Sequence, residues 1–220
     1  MSLNPEDGSF SLSNPLKTVM TINQEGTEID CSDNVSLHVT SLRASNLWAI
    51  EENQIKFNGV PQWKLVHDEI FRIGQHAEGW NMPDAITQCG AMHMLGGYCT
   101  TSNENLVKVF NNLPSHRRIR VQANFHFIDS WGGDTAFLKV TSGEDMGDLQ
   151  YAWTDSYDYV SSRNAVNVCG RDVGDGKFNT FIDFEMAHTH SQIKLMFGSS
   201  LEQKACAASY GVSMVRIQVL

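Results

Sequence analysis

The chain has 220 residues, 41% hydrophobic and 19% charged, a globular balance that excludes a disordered polymer. Its formal net charge of −9 argues against a nucleic-acid or anionic-membrane partner, because each phosphate contact calls for a Lys or Arg. No run approaches the roughly 18 apolar residues of a transmembrane helix, so no membrane insertion is expected.

The N-terminus, Met1 to Gly8, has neither the basic start nor the apolar run of a signal peptide, so a secreted chain would need a leader removed or replaced. Residues 18–22 and 36–40 are short strand candidates joined by polar connections, and Pro61, just before Trp63, marks a seam. Residues 1–65 are expected to form a small β-rich accessory or arm segment, and residues 66–220 a sandwich domain. Residues 103–111 read as one short helix or an edge strand.

The clearest pattern runs over residues 118–127. Ile119, Val121, Ala123, Phe125 and Phe127 point one way, and Arg118, Arg120, Gln122, Asn124 and His126 the other. Strict period two of this length is the pattern of a half-buried antiparallel strand. Runs at 136–140, 178–186, 193–197 and 215–219 repeat it, with Gly- and Asp-rich turns between. Many short strands with such turns predict an all-β fold, an antiparallel β-sandwich or jelly roll.

Five cysteines, Cys31, Cys89, Cys99, Cys169 and Cys206, form no Cys-x-x-Cys pair, so neither a zinc ribbon nor a thioredoxin-type site is indicated. Their turn-like settings suit disulfides, with reduced cysteine as the alternative. The expected pairs are Cys89 with Cys99 and Cys169 with Cys206, leaving Cys31 over. Asn34-Val35-Ser36 is a glycosylation sequon.

Several motifs follow one another in order: Glu78-Gly79-Trp80, Thr87-Gln88-Cys89-Gly90, Leu95-Gly96-Gly97-Tyr98 and Leu113-Pro114-Ser115-His116. Then come Phe127-Ile128-Asp129-Ser130-Trp131-Gly132-Gly133-Asp134, Val168-Cys169-Gly170, His190, Phe197-Gly198-Ser199-Ser200-Leu201 and Ser209-Tyr210-Gly211-Val212. In these the chain resembles β-sandwich modules of protist secreted and cell-surface proteins with an Asp-Ser-Trp loop. Those modules usually have an acidic residue where this chain has Gly132. The resemblance covers roughly two-thirds of the chain and implies a sandwich fold and extracellular or cell-surface display, not a chemistry.

Asp129 and Asp134 flank two glycines in what reads as a hairpin loop, and calcium takes six to eight oxygens from such carboxylates and carbonyls. Glu78 and Asp145 would complete that shell; the alternative is that Asp129 caps its own turn. Calcium is thus the expected cofactor, in a structural role. The acids at 144–148 and 172–183 do not fit EF-hand spacing and read as solvated turn acids. His188 and His190, two apart, have a spacing that on a strand chelates zinc or iron, or they are simply a pair in a hairpin turn. Tyr151, Trp153, Asp155 and Tyr157 combine aromatic faces with a carboxylate, as sugar sites do; the alternative puts Tyr151 and Trp153 in the core.

No Gly-x-Ser-x-Gly, His-Glu-x-x-His, phosphate-binding loop or dinucleotide fingerprint is present. The expected function is a non-enzymatic, calcium-supported extracellular module that binds glycans or proteins. A second reading is a structural subunit of an extracellular coat or filament, self-associating into a polymer through its N-terminal segment. A third, ranked last, is a glycoside-type hydrolase.

Overall fold

The computed structural model describes residues 2–3, 10–13, 18–23, 26–29, 56–57, 60–141, 147–162 and 164–220. Cys31, Asn34, the strand candidate at 36–40 and Asp145 lie outside them. The chain divides into two units, Met1–Leu47 and Trp48–Leu220. In the first unit β1 (Ser2–Leu3), β2 (Phe10–Ser13), β3 (Thr18–Asn23) and β4 (Gly26–Ile29) form one antiparallel sheet in that order. The strand expected at 18–22 is therefore present.

The second unit is a sandwich. A two-stranded ribbon of β5 (Lys56–Phe57) and β6 (Val60–Pro61) precedes β7 (Lys64–Glu69), β8 (Ile86–Cys89), β9 (Met92–Gly96) and β10 (Leu106–Phe110). The long strands follow: β11 (Arg118–Asp129), β12 (Gly132–Thr141), β13 (Leu149–Asp158), β14 (Asn179–Ala187), β15 (Ile193–Ser199) and β16 (Ala208–Val219). One sheet runs β10-β15-β12-β13 and the other β14-β11-β16-β9-β8, with β7 also paired to β16. All the pairings are antiparallel. No helix among the described residues is long and apolar enough to cross a membrane. The 103–111 segment resolves as the edge strand β10, since its alternation gives it Leu106 and Phe110 to bury against β15.

Period two on β11 does what the sequence predicts. Ile119, Val121, Ala123, Phe125 and Phe127 are buried between the sheets with Val212, Val215 and Ile217 of β16. The centre is aromatic: Phe125 stacks on Tyr210 with ring centres 5.0 Å apart and meets Trp153 at 5.5 Å and Trp131 at 6.3 Å. Burial drives the Tyr210 phenol well above its ordinary range, and its hydroxyl donates to the Glu104 and Phe197 carbonyls.

The expected hairpin at 129–134 is a crossover instead. β11 and β12 belong to different sheets, and Ser130 and Trp131 carry the chain between them. Trp131 is the cause: its indole is fully buried, packs on Phe127 at 4.7 Å, and donates Nε1–H to the Ser209 carbonyl at 2.9 Å. A buried tryptophan needs such an acceptor, and it draws the loop into the core.

The disulfides join Cys89 to Cys169 and Cys99 to Cys206, so the four cysteines pair, but with partners exchanged. The reason is the hairpin between them. Cys89 sits opposite Met92 at the turn end of β8–β9, and Cys99 lies beyond the far end of β9 at Gly96. Five strand residues span roughly 16 Å, far beyond the ~7 Å that a disulfide can bridge. Cys99 instead meets the Ala205–Cys206 turn, where its N–H donates to the Ala205 carbonyl at 3.1 Å.

Candidate functional site

Two faces of the sandwich look outward, and they differ in chemistry. On the sheet containing β11, the outward set of that strand lies between matching sets on its neighbours. Arg120 stands opposite Glu185 of β14 and Gln218 of β16, and Gln218 stands opposite Leu65 of β7. One row along, Gln122 stands opposite Asp183 and Arg216, and Arg216 opposite Asp68. In the next row Asn124 lies between Phe181 and Ser213. Strand spacing makes the platform, from β14 to β7, about 14 Å wide.

Its polar groups form a connected network. Arg120 makes a two-pronged ion pair with Asp183, Gln122 Nε2 donates to Asp183 Oδ2 at 3.4 Å, and Gln218 Nε2 donates to Gln122 Oε1 at 3.4 Å. Arg118 pairs with Glu185 at 2.7 Å and Arg216 with Asp68 at 2.9 Å. The Arg120 guanidinium holds the Asp183 carboxyl below the usual carboxylate range, and Asp183 in turn raises Arg120. Aromatic groups mark opposite ends: Trp63, with the Arg120 guanidinium 5.9 Å from its ring centre, and Phe181, 51% exposed.

The other end of the same face is covered. Met94 and Ile128 form a second small core with Cys89, packed by Tyr98, Cys169 and Phe178. Gly211 of β16 has no side chain, and Met94 occupies the space a Cβ would need. Cys89–Cys169 staples the covering loop to the β8–β9 hairpin. Beneath it His126 is buried, with Nε2 2.8 Å from Ser213 Oγ and its ring 5.0 Å from Phe178. Burial pushes His126 down to about 4.

The residues expected to hold calcium have separate surroundings. Asp129 is fully buried with φ 64°, and its Oδ1 accepts from the Arg171 N–H at 2.9 Å. Its N–H donates to Asp175 Oδ1, also at 2.9 Å. Burial raises its carboxyl to about 6, against the Arg171 N–H bond that lowers it. Asp134 instead accepts from its own turn at Gly132 N–H, at 3.2 Å. Glu78 is exposed on a cleft of about 310 Å³ that it shares with Glu69, His76 and Lys108. Lys108 Nζ donates there to Glu69 Oε1 at 2.7 Å and to the Glu78 carbonyl at 2.8 Å. Among the described residues no group of three or more His, Cys, Asp or Glu side chains is placed to hold a metal ion.

The expected aromatic sugar site on β13 is split between its two faces. A bulge at Leu138/Lys139 shifts the pairing by one residue, which exchanges the faces of β13 on either side of it. Tyr151 is 63% exposed on the outer face of the four-stranded sheet, edge-on to Phe137 and 4.4 Å from Lys139 Nζ. Trp153 packs on Phe125 in the core, and Tyr157 is buried, donating to the Gly174 carbonyl at 3.2 Å. Asp155 pairs with Lys177 at 2.6 Å.

His188 and His190 lie in the turn between β14 and β15. His188 is 3% exposed, and its Nδ1 lies 2.8 Å from Nε2 of His116, whose Nδ1 lies 2.6 Å from the Pro114 carbonyl. The two rings are within 18° of parallel, and the His190 ring stands 5.6 Å from His188 at 80°. Burial pushes His188 down to about 4, helped by His116 and His190 and opposed by the Gln192 backbone.

The polar platform leaves a signal in the sequence beyond the outward set of the 118–127 strand. Arg118 and Arg120 alternate on one predicted strand, Asp183 and Glu185 on another, and Arg216 and Gln218 on a third. Opposite charges at period two on two strands are what cross-strand pairs leave in a sequence.

No family model matches the chain, and no curated protein matches it. Among solved structures it is similar to the xylan-binding CBM22-1 domain of Paenibacillus barcinonensis Xyn10C, at 12% identity and a TM-score of 0.46, over 71% of this chain and 95% of that one. It is also similar to the K3 cleaved adhesin domain of Lys-gingipain from Porphyromonas gingivalis w83, at 9% identity and a TM-score of 0.44, over 70% and 98%. A third is the xylan-binding module CBM15, at 9% identity and a TM-score of 0.39, over 70% and 96%. Likenesses at this level set no activity for this chain.

Proposed function

We propose that the protein is a non-catalytic extracellular module that binds an uncharged glycan chain on the outer face of the β14-β11-β16-β7 sheet. The carrying observation is the amide and guanidinium network of Arg120, Gln122 and Gln218 with Asp183, lying between Trp63 and Phe181. Sugar hydroxyls both donate and accept, and amides, guanidinium groups and carboxylates fixed on strands answer both needs. Aromatic rings at the ends supply apolar faces for the sugar rings.

The charge balance of the platform selects the ligand class. Arg118, Arg120 and Arg216 each carry their own carboxylate, so the face offers no unmatched positive field to a sulfated or phosphorylated polymer. Exposed ion pairs of this kind contribute ~0–1 kcal/mol each, so a hydroxyl can enter the network at small cost. Asp183 and Asp129 are poorly suited to acid catalysis of hydrolysis. A general acid needs a raised carboxyl, whereas Asp183 is lowered, and the raised Asp129 is sealed from substrate. Secretion is supported by two disulfides, which persist in oxidising compartments.

An array of neutral, sulfated and sialylated glycans tests the reading. Binding to neutral oligosaccharides is expected; retention only by the anionic set, or by no glycan at all, overturns it.

A further inference from the structure

The last open row of the polar face differs from the two before it. Gln122 and Gln218 have their amide N–H groups committed to Asp183 and to Gln122, and Arg120 is held by Asp183. Asn124, half-buried in the next row between Phe181 and Ser213, makes no side-chain hydrogen bond among the described residues. Its carboxamide therefore offers an acceptor oxygen and an N–H donor group to whatever lies on the face. The exposed ring of Phe181 belongs to the residue directly across the β11–β14 pair.

The backbone is irregular at this row. The register of β11 with β16 shifts between Gln122 and Asn124, where β16 carries an extra residue. Met214, inside that bulge, has φ 51°, a left-handed conformation rare for a residue with a side chain. Bulges re-aim neighbouring side chains and gather at functional sites.

A step follows. His126, two residues on and roughly 7 Å farther along the face, is fully buried, with the Phe178 ring 5.0 Å from its own. Ser213 Oγ lies 2.8 Å from His126 Nε2, and Met94 and Ile128 are buried beyond it under the stapled loop. The face is open toward Arg120 and Trp63 and shut past Asn124.

We propose, resting on the reading of this face as a glycan platform, that the Asn124 row is the subsite for the terminal sugar of a neutral glycan chain. Asn124 engages two neighbouring hydroxyls of that sugar through its amide oxygen and nitrogen, since each partner both donates and accepts. Phe181 covers the apolar side of the ring. A chain lying over both Trp63 and Phe181 runs toward the covered rows and stops there. The ligand class is therefore a chain end with free adjacent hydroxyls, not the interior of a long polymer.

The test is calorimetric titration of the intact, oxidised protein with one neutral oligosaccharide from the array and with its soluble parent polymer of known chain length. Asn124→Ala should keep the wild-type circular dichroism, because its side chain makes no internal bond. It should weaken oligosaccharide binding by roughly three- to tenfold, as loss of a net hydrogen bond does. Phe181→Ala should weaken it by about tenfold. The polymer should take up one protein per chain, at its end. If several proteins bind along one polymer chain, or if Asn124→Ala titrates as wild type while Trp63→Ala is weakened, the subsite is wrong and the platform stands. If no neutral glycan binds, both fall.

Discussion

The carboxylate of Asp175 holds the backbone of Asp129: its Oδ1 accepts the Asp129 N–H at 2.9 Å from 46 residues along the chain. Its Oδ2 accepts from both Val168 and Cys169 N–H at 2.9 Å, so one buried side chain ties the end of β11 to the stapled loop. Asp175→Ala removes three charge-assisted bonds and leaves the buried Asp129 amide unpaired. With bonds to charged groups contributing about 1.5–3 kcal/mol each, the variant should lose roughly 3 kcal/mol or more. Asp172→Ala, exposed on the same loop, should change stability by under ~0.5 kcal/mol. Denaturant unfolding of both variants checks the contrast.

Asp129 and His126 give the stability a pH dependence of opposing signs. His126, down at about 4 from 6.5, stays neutral in the fold while the unfolded chain takes up a proton. Its contribution is whole above pH 6.5 and is lost as pH falls toward 4. Asp129, up at about 6 from 3.8, favours its acid form in the fold, so its contribution is whole below pH 3.8 and is lost as pH rises through 6. The two offset each other between about pH 4 and 6. Asp129→Asn, which tolerates the left-handed backbone at φ 64°, removes one side of the balance. Relative to wild type it should lose stability more steeply on acidification, by up to ~1.4 kcal/mol per pH unit. Unfolding free energies from pH 7 to 4 decide it; parallel profiles would contradict the assignment.

The disulfides should be found by non-reducing peptide mapping as Cys89–Cys169 and Cys99–Cys206. They close loops of 80 and 107 residues, and the chain-entropy model assigns such loops about 4–5 kcal/mol each. Reduction should therefore lower the melting temperature strongly. A Cys89–Cys99 peptide would contradict the observed pairing.

Much of this was legible in the sequence, and the misses share one cause. The alternation at 118–127 gives β11 and its buried face because period two is a local property. The split of Tyr151 from Trp153 depends on a bulge in the pairing with β12, and the partner of Cys89 on the length of β9. Both are facts about register, which no single stretch of chain carries. Trp131 shows the same limit: its neighbours read as a turn, but its indole is needed at Ser209 on another strand. The polar platform was half visible. Arg120 and Gln122 were placed outward on β11, while Asp183 read as a turn acid because its place opposite Gln122 appears only when β14 is set against β11.

The proposed glycan site is the outer face of the β14-β11-β16-β7 sheet, not the β13 aromatics. It is tested most directly by titrating one neutral oligosaccharide from the array against Trp63→Ala, Gln122→Ala and Tyr151→Ala, each checked for an unchanged fold. Removing the Trp63 ring should weaken binding by about tenfold or more, since an aromatic contact contributes roughly 1 kcal/mol beyond its buried area. Gln122→Ala should weaken it by several-fold through loss of about one net hydrogen bond. Tyr151→Ala, on the opposite sheet, should bind as wild type. If Tyr151→Ala abolishes binding while Trp63→Ala and Gln122→Ala retain it, the platform is not the site.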